Sequence, residues 1–190
     1  MKAKDNPFRA ERLHKLTYQP VDETWPSIMR RLSALHHRAA IIGPHGTGKS
    51  TLLDALAQRL AASGMNLHRL FINDTSPAPP MRVIIGMARS LGPRDVMLID
   101  GAERITRRTW AYLKHATHRL GGLIITTHRR GMLPPLVTTR GTPALLHALI
   151  DRLPDVQAHE LPMSPAMLLD QCRGNVRDAL RQLYDHYAAI

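Results

Sequence analysis

The chain has 190 residues, a formal charge of +11 from 26 basic and 15 acidic side chains, and a single cysteine. That length suits one domain with a small appendage, and it suffices for a substantial core. The lone Cys172 excludes an intrachain disulfide framework and a cysteine metal cluster, and no apolar run is long enough to span a bilayer.

With no secretory leader visible, a cytoplasmic location is expected. Aromatic residues make up only 4% of the chain, so Leu, Ile, Ala and the nine Met must fill the interior. Most of the basic residues are arginine, which pairs with phosphate and carboxylate and stacks on bases. The charge favours an acidic partner such as DNA or RNA, and an ordinary solvated surface is the bland alternative.

Residues 1–10 are polar, contain Asn6-Pro7 and read as an irregular or loosely attached lead-in, with Leu13, Leu16 and Tyr18 as candidate anchors beyond it. Thr24 or Ser27 can cap a helix through Ile28, Met29, Leu32 and Leu35, with His36-His37 near its end. Ala39-Ala40-Ile41-Ile42 is a short apolar run suited to a buried strand.

The next stretch matches the G-x-x-x-x-G-K-[ST] pattern of a phosphate-binding P-loop: Gly43, Pro44, His45, Gly46, Thr47, Gly48, Lys49 and Ser50. The glycines permit a turn whose N–H groups face phosphate oxygens. A helix from Thr51 onward, closed by Gly64, directs its positive end at the same anion. Lys49 is placed to reach the β- and γ-phosphates, and Ser50 to coordinate Mg²⁺.

A strand over 67–72, a turn-rich link over 73–80 and a helix over 81–91 follow. Val96-Met97-Leu98-Ile99-Asp100 then reads as a buried strand ending in the carboxylate that a Mg²⁺ site beside Ser50 needs. Glu103 is placed to polarise an attacking water; its competing role is a helix-start charge. Residues 105–120 carry apolar side chains at helical spacing, with Arg104, Arg107 and Arg108 crowding the start. Cations there oppose the helix dipole, which suggests an interaction surface.

Leu123 to Thr127 reads as another apolar strand, ending at Thr127-His128. Thr127 or His128 can sense a γ-phosphate or orient water, and a plain strand-end cap is the alternative. Arg129, Arg130 and Arg140 are candidate phosphate-stabilising arginines, in cis or in a neighbouring subunit, or else solvent-facing. After a short strand within 133–141, helices begin at Thr142-Pro143 and Ser164-Pro165, and a last one uses Val176, Leu180 and Leu183. Residues 156–161 form a connector.

In order and content this chain resembles P-loop ATPases of the AAA+ and signal-transduction (STAND-like) groups. Gly43 to Ser50 resembles their phosphate loop, and Val96 to Glu103 their strand with two acids. Thr126 to Arg129 resembles their sensor strand. Gly174-Asn175-Val176-Arg177 resembles the start of a lid helix whose arginine reaches the γ-phosphate, which makes Arg177 the candidate here. Thr127-His128 also looks like the strand-end histidine of ABC-type ATPases, but no Leu-Ser-Gly-Gly segment accompanies it.

The resemblance implies an α/β, three-layer P-loop fold with a mostly parallel sheet and a short C-terminal helical lid. Its expected divisions are a lead-in at 1–20, an ATPase core at 21–156 and a lid or flank at 157–190. It implies a Mg²⁺-dependent ATP-binding and ATP-hydrolysing switch. Residues 43–51, Thr51 included, hold the nucleotide; Ser50 and Asp100 hold the metal; Glu103, Lys49, His128 and Arg177 act in catalysis. ATP is favoured over GTP because no Asn-Lys-x-Asp segment is present. Partners are DNA or RNA through the arginine-rich surface, another protein, or a second copy. The rival functions are a small-molecule or nucleotide kinase and an ATP-regulated adaptor with little hydrolysis.

Overall fold

The computed structural model describes residues 6–13, 16–21, 23–153, 156 and 161–189. Contacts between residues group them into two units. One comprises residues 22–43 and 49–138; the other comprises the described parts of 1–21, 44–48 and 139–190.

The first unit is built on a sheet of five parallel strands in the order β2-β3-β4-β1-β5. These are β1 (Arg38–Ile42), β2 (Asn66–Phe71), β3 (Asp95–Asp100), β4 (Gly122–Thr127) and β5 (Pro135–Thr138). The three central strands read as continuous apolar runs because both faces of a parallel sheet are covered by helices. One face takes Ala40, Ile42, Met97, Ile99, Leu123 and Ile125, which pack with α4 (Met81–Ser90) and α5 (Arg107–Ala116) through Ile84, Ala88 and Leu113. By the period-two alternation of strands, Ile41, Leu98 and Ile124 belong to the opposite face. There α3 (Lys49–Ala62) packs across β1, β3 and β4, and α2 (Trp25–Ala34) packs beside β5. Helix, sheet and helix make the three layers.

Local chemistry sets most of the boundaries. Thr24 caps α2, accepting from the Ser27 N–H at 3.4 Å. The expected helix over 105–120 is shorter, because Thr106 caps it from the Thr109 N–H at 3.2 Å and Thr117 ends it. His36 and His37 lie beyond the end of α2, in a left-handed turn with φ of 50° and 53° that feeds β1.

The second unit has its own apolar centre. Phe8, Leu146, Ile150, Leu168, Val176 and Leu183 are among its buried residues. They bring together the N-terminal segment with α1 (Ala10–Leu13), α6 (Pro143–Ile150), α7 (Pro165–Gln171) and α8 (Val176–Ala188). Thr142 and Ser164 cap α6 and α7, each followed by proline in the first turn. The lead-in is irregular over residues 6–9, as expected, but it is not loosely attached. Asn6 and Phe8 are fully buried, Asn6 Nδ2 donates to the Tyr184 carbonyl at 2.9 Å, and Asn6 Oδ1 accepts from the Phe8 N–H at 2.9 Å. Leu13 and Leu16 lie half-buried against the same centre. Cys172 is a buried member of it, and burial followed by the nearby Asp178 pushes its thiol pKa up. The expected connector at 156–161 and the boundary between 156 and 157 fall largely outside the described residues.

Candidate nucleotide site

In the sheet unit, the sequence candidates converge at the carboxyl ends of β1, β3 and β4, where an open α/β sheet places its ligands. Lys49 and Ser50 start α3, so their side chains stand at the positive end of its dipole. Ser50 Oγ donates to Asp100 Oδ1 at 3.1 Å. Asp100 is only 4% exposed, and its carboxylate is held from two further sides. The Thr126 hydroxyl donates to Oδ1 at 2.6 Å, and Arg69 Nη2 donates to Oδ2 at 3.3 Å. Arg69 also pairs with Asp54 on α3. The sequence names Thr126 only as the start of the sensor-like stretch and assigns Arg69 no role; an arginine on an edge strand carries no motif.

Lys49 Nζ donates to the Gly43 carbonyl at 2.8 Å and lies 3.5 Å from His128 Nδ1. His128 joins the loop to the second acid: Nδ1 is 2.9 Å from the Gly43 carbonyl, and Nε2 is 3.0 Å from Glu103 Oε1. Glu103 sits in a single 3-10 turn, Ala102–Arg104, immediately after Gly101. Gly101 is left-handed at φ 89°, and a Cβ there would run into the Ile72 carbonyl, so the turn that presents Glu103 requires glycine. Glu103 Oε2 is buried and has no hydrogen-bond partner among the described residues. A buried carboxylate oxygen left open in this way is suited to accept from a reactant.

Other candidates are placed differently. Thr127 is fully buried, and its hydroxyl accepts from the Arg129 N–H at 3.0 Å and donates to Met132 Sδ at 3.6 Å. That is the strand-end cap, the plainer of its two readings. Thr51 is exposed on α3, and Arg129, Arg130 and Arg140 are exposed.

The second unit holds Pro44, His45, Gly46, Thr47 and Gly48 together with Arg177. Gly46 and Gly48 have φ of 70° and 86°, the left-handed conformations that turn successive N–H groups inward. The Thr47 hydroxyl donates to the Pro44 carbonyl at 2.9 Å and shares a 2.7 Å hydrogen bond with the Thr139 hydroxyl. The start of α8 lies against this turn: the Arg177 N–H donates to the Gly46 carbonyl at 3.3 Å. Asn175 caps α8, accepting from the N–H groups of Arg177 and Asp178 at 3.1 and 3.2 Å. The Arg177 side chain is exposed.

The sequence pattern of the family described as "ATPase family associated with various cellular activities (AAA)" matches residues 39–142, more than half of the chain. The chain belongs to this family. It is an ATP-binding P-loop ATPase domain. No curated protein sequence matches it. Among solved structures, it is similar to the Thermotoga maritima RuvB Holliday junction branch migration motor, with a TM-score of 0.56 at 20% identity over 84% of this chain and 60% of that one. A mutant form of the same motor gives a TM-score of 0.56 at 20% identity over 90% of this chain and 63% of that one. The chain thus spans about three-fifths of the length of the RuvB structures, and the likeness is one of fold. No described helix is long and apolar enough to cross a membrane.

Ser50 Oγ and the Asp100 carboxylate are hard oxygen donors already in contact, which is the donor set Mg²⁺ takes beside a nucleotide's phosphates.

Proposed function

We propose that the chain is a Mg²⁺-dependent switch that hydrolyses ATP while acting on nucleic acid. The observation that carries the hydrolytic part is the unpartnered, buried Oε2 of Glu103, whose other oxygen is braced by His128. In this reading Lys49 and the amides of residues 43–51 hold the phosphates, and Ser50 and Asp100 hold the metal. Bound there, Mg²⁺ supplies neutralisation of phosphate charge. Glu103 Oε2 takes a proton from water as the water oxygen bonds to the γ-phosphorus and the bridging bond to the β-phosphate breaks. ADP and phosphate are the products. His128 keeps Glu103 and the loop carbonyl of Gly43 in register. Arg177 serves as the arginine that reports nucleotide state. The net charge of +11 supports nucleic acid as the partner.

The test is steady-state turnover and nucleotide affinity of three proteins, with and without duplex DNA. Glu103→Gln is expected to keep nucleotide affinity within about twofold and to lose about 100-fold or more in turnover, the usual contribution of a general base. Lys49→Ala is expected to lose tight ATP binding. Undiminished turnover in Glu103→Gln would move the base elsewhere, and unchanged affinity in Lys49→Ala would remove the phosphate assignment.

A further inference from the structure

Charge in this chain is segregated. Between Glu103 and Asp151 there is no Asp or Glu, although Arg and Lys recur throughout that stretch. Helix α4, Met81–Ser90, also contains no acid. These two facts meet in space, because α4 and α5 are neighbours on one face of the sheet. Their buried sides are apolar, through Ile84, Ala88 and Leu113. Their outer sides expose Arg82, Arg89, Arg107, Arg108 and Lys114, with Arg119 exposed just after α5. At about 100° per residue, the cations at 107, 108 and 114 fall within one broad stripe of α5.

Several cations elsewhere in the same unit are engaged. Arg31 pairs with Glu23 at 2.7 Å, Arg59 lies 3.5 Å over the Trp25 ring, Arg69 pairs with Asp54 and Asp100, and Arg104 pairs with Asp74 at 2.5 Å. Among the described residues, no ion pair or side-chain hydrogen bond engages the six on α4 and α5. Arg107 and Arg108 also stand in the first turn of α5, against its dipole. An uncompensated cationic ridge of this kind is unfavourable alone and favourable beside a dense anion.

Resting on the nucleic-acid reading above, we infer that the outer face of α4 and α5 carries the phosphate backbone of duplex DNA. A ten-residue helix is about 15 Å long, the axial rise of about four base pairs of duplex. Tyr112, 60% exposed, is the one Phe, Tyr or Trp side chain fully presented by α5. One aromatic makes no stacking platform for unpaired bases, so the face reads backbone charge without sequence preference.

The test uses the full chain and a fluorescent duplex of random sequence, titrated over a range of salt. The quadruple variant Arg107→Gln, Arg108→Gln, Lys114→Gln, Arg119→Gln is compared with a control on α2, the exposed Arg30→Gln. The quadruple variant is expected to bind about tenfold or more weakly near 0.1 M salt, with the log–log salt slope flattened by about 2–4, at about 0.9 for each phosphate no longer neutralised. ATP turnover without DNA and the thermal midpoint are expected to stay at wild-type values, which separates a defect in DNA binding from a defect in folding. The control is expected to change the slope by less than about 1. If wild-type binds duplex and the quadruple variant binds equally well, this face is refuted while the nucleic-acid reading stands. If wild-type does not bind duplex at all, the nucleic-acid reading itself falls, and anionic vesicles or an acidic protein retained by the same face would identify its replacement. Equal weakening of the control would refute the face in favour of net charge alone.

Discussion

Replacing Thr126 by valine isolates the support of the Asp100 carboxylate from the chemistry proposed for it. Thr126 is 1% exposed, donates to Asp100 Oδ1 at 2.6 Å and accepts from the Gly101 N–H at 2.9 Å. Valine has nearly the same volume, so no cavity opens; what disappears is one hydroxyl serving two partners. The lost hydrogen bond to a carboxylate counts for about 1.5–3 kcal/mol, and the stranded Gly101 N–H for about 1–3 kcal/mol. Because Gly101 is only half-buried and water reaches part of that turn, a total of about 3 kcal/mol is the expected loss. In urea, with a slope of about 2–3 kcal/mol/M for a chain of this size, the midpoint of the sheet unit falls by about 1 M. Thr126→Ser keeps the hydroxyl and is expected to lose only about 1 kcal/mol, the value of the removed methyl. A Thr126→Val protein within about 0.5 kcal/mol of wild-type would show that Asp100 and Gly101 do not depend on this hydroxyl.

Three further perturbations address other parts of the molecule. Phe8→Ala removes a buried ring that packs on Tyr187 at a centroid distance of 5.3 Å, and is expected to cost the helical unit about 3 kcal/mol in chemical denaturation. Gly46→Ala forces a side chain into a left-handed position and against the Asn175 carboxamide that caps α8. About 2 kcal/mol of destabilisation is expected, read by hydrogen exchange in α8. The Gly92 N–H, at 2.7 Å, and then His68, at 2.8 Å, hold the Asp95 carboxyl below the usual carboxylate range. A lowered folded pKa stabilises the fold above the ordinary carboxylate value of about 3.9, and that contribution is lost as pH falls through the folded value. Asp95→Asn is therefore expected to flatten the loss of stability below about pH 4 and to leave its shape near pH 7 unchanged, as followed by urea midpoints across pH.

The parts of the site that sequence reveals are those whose residue type is dictated locally. A turn with φ of 70° and 86° at positions 46 and 48 demands glycine, and the helix that follows demands a donor-rich start, so residues 43–50 are readable without any tertiary information. Thr142 and Ser164, each followed by proline, are legible for the same reason. The lead-in is not, because Phe8 is buried by α8 and its neighbours, far along the chain, and a lone aromatic in a polar stretch has no periodicity to announce it.

The supports of Asp100 show where local reading must stop. Arg69 and Thr126 lie 31 and 26 residues from it in sequence. In the sheet, Phe71 pairs with Asp100, so Arg69, two residues back on β2, stands diagonally beside it on the same face. Ile99 pairs with Ile125, so the next step along both strands brings Asp100 beside Thr126. A slip of one residue in either pairing would turn Arg69 or Thr126 to the opposite face and leave the carboxylate with a partner fewer. The apolar runs of β3 and β4 do not specify that register by alternation, since both of their faces are buried. The polar groups at their carboxyl ends do. Asp100 in the wrong register would be a buried charge short of its donors, a state costing more than any apolar mismatch along the strand. The residues that hold the Asp100 carboxylate therefore also contribute to aligning the sheet that carries it.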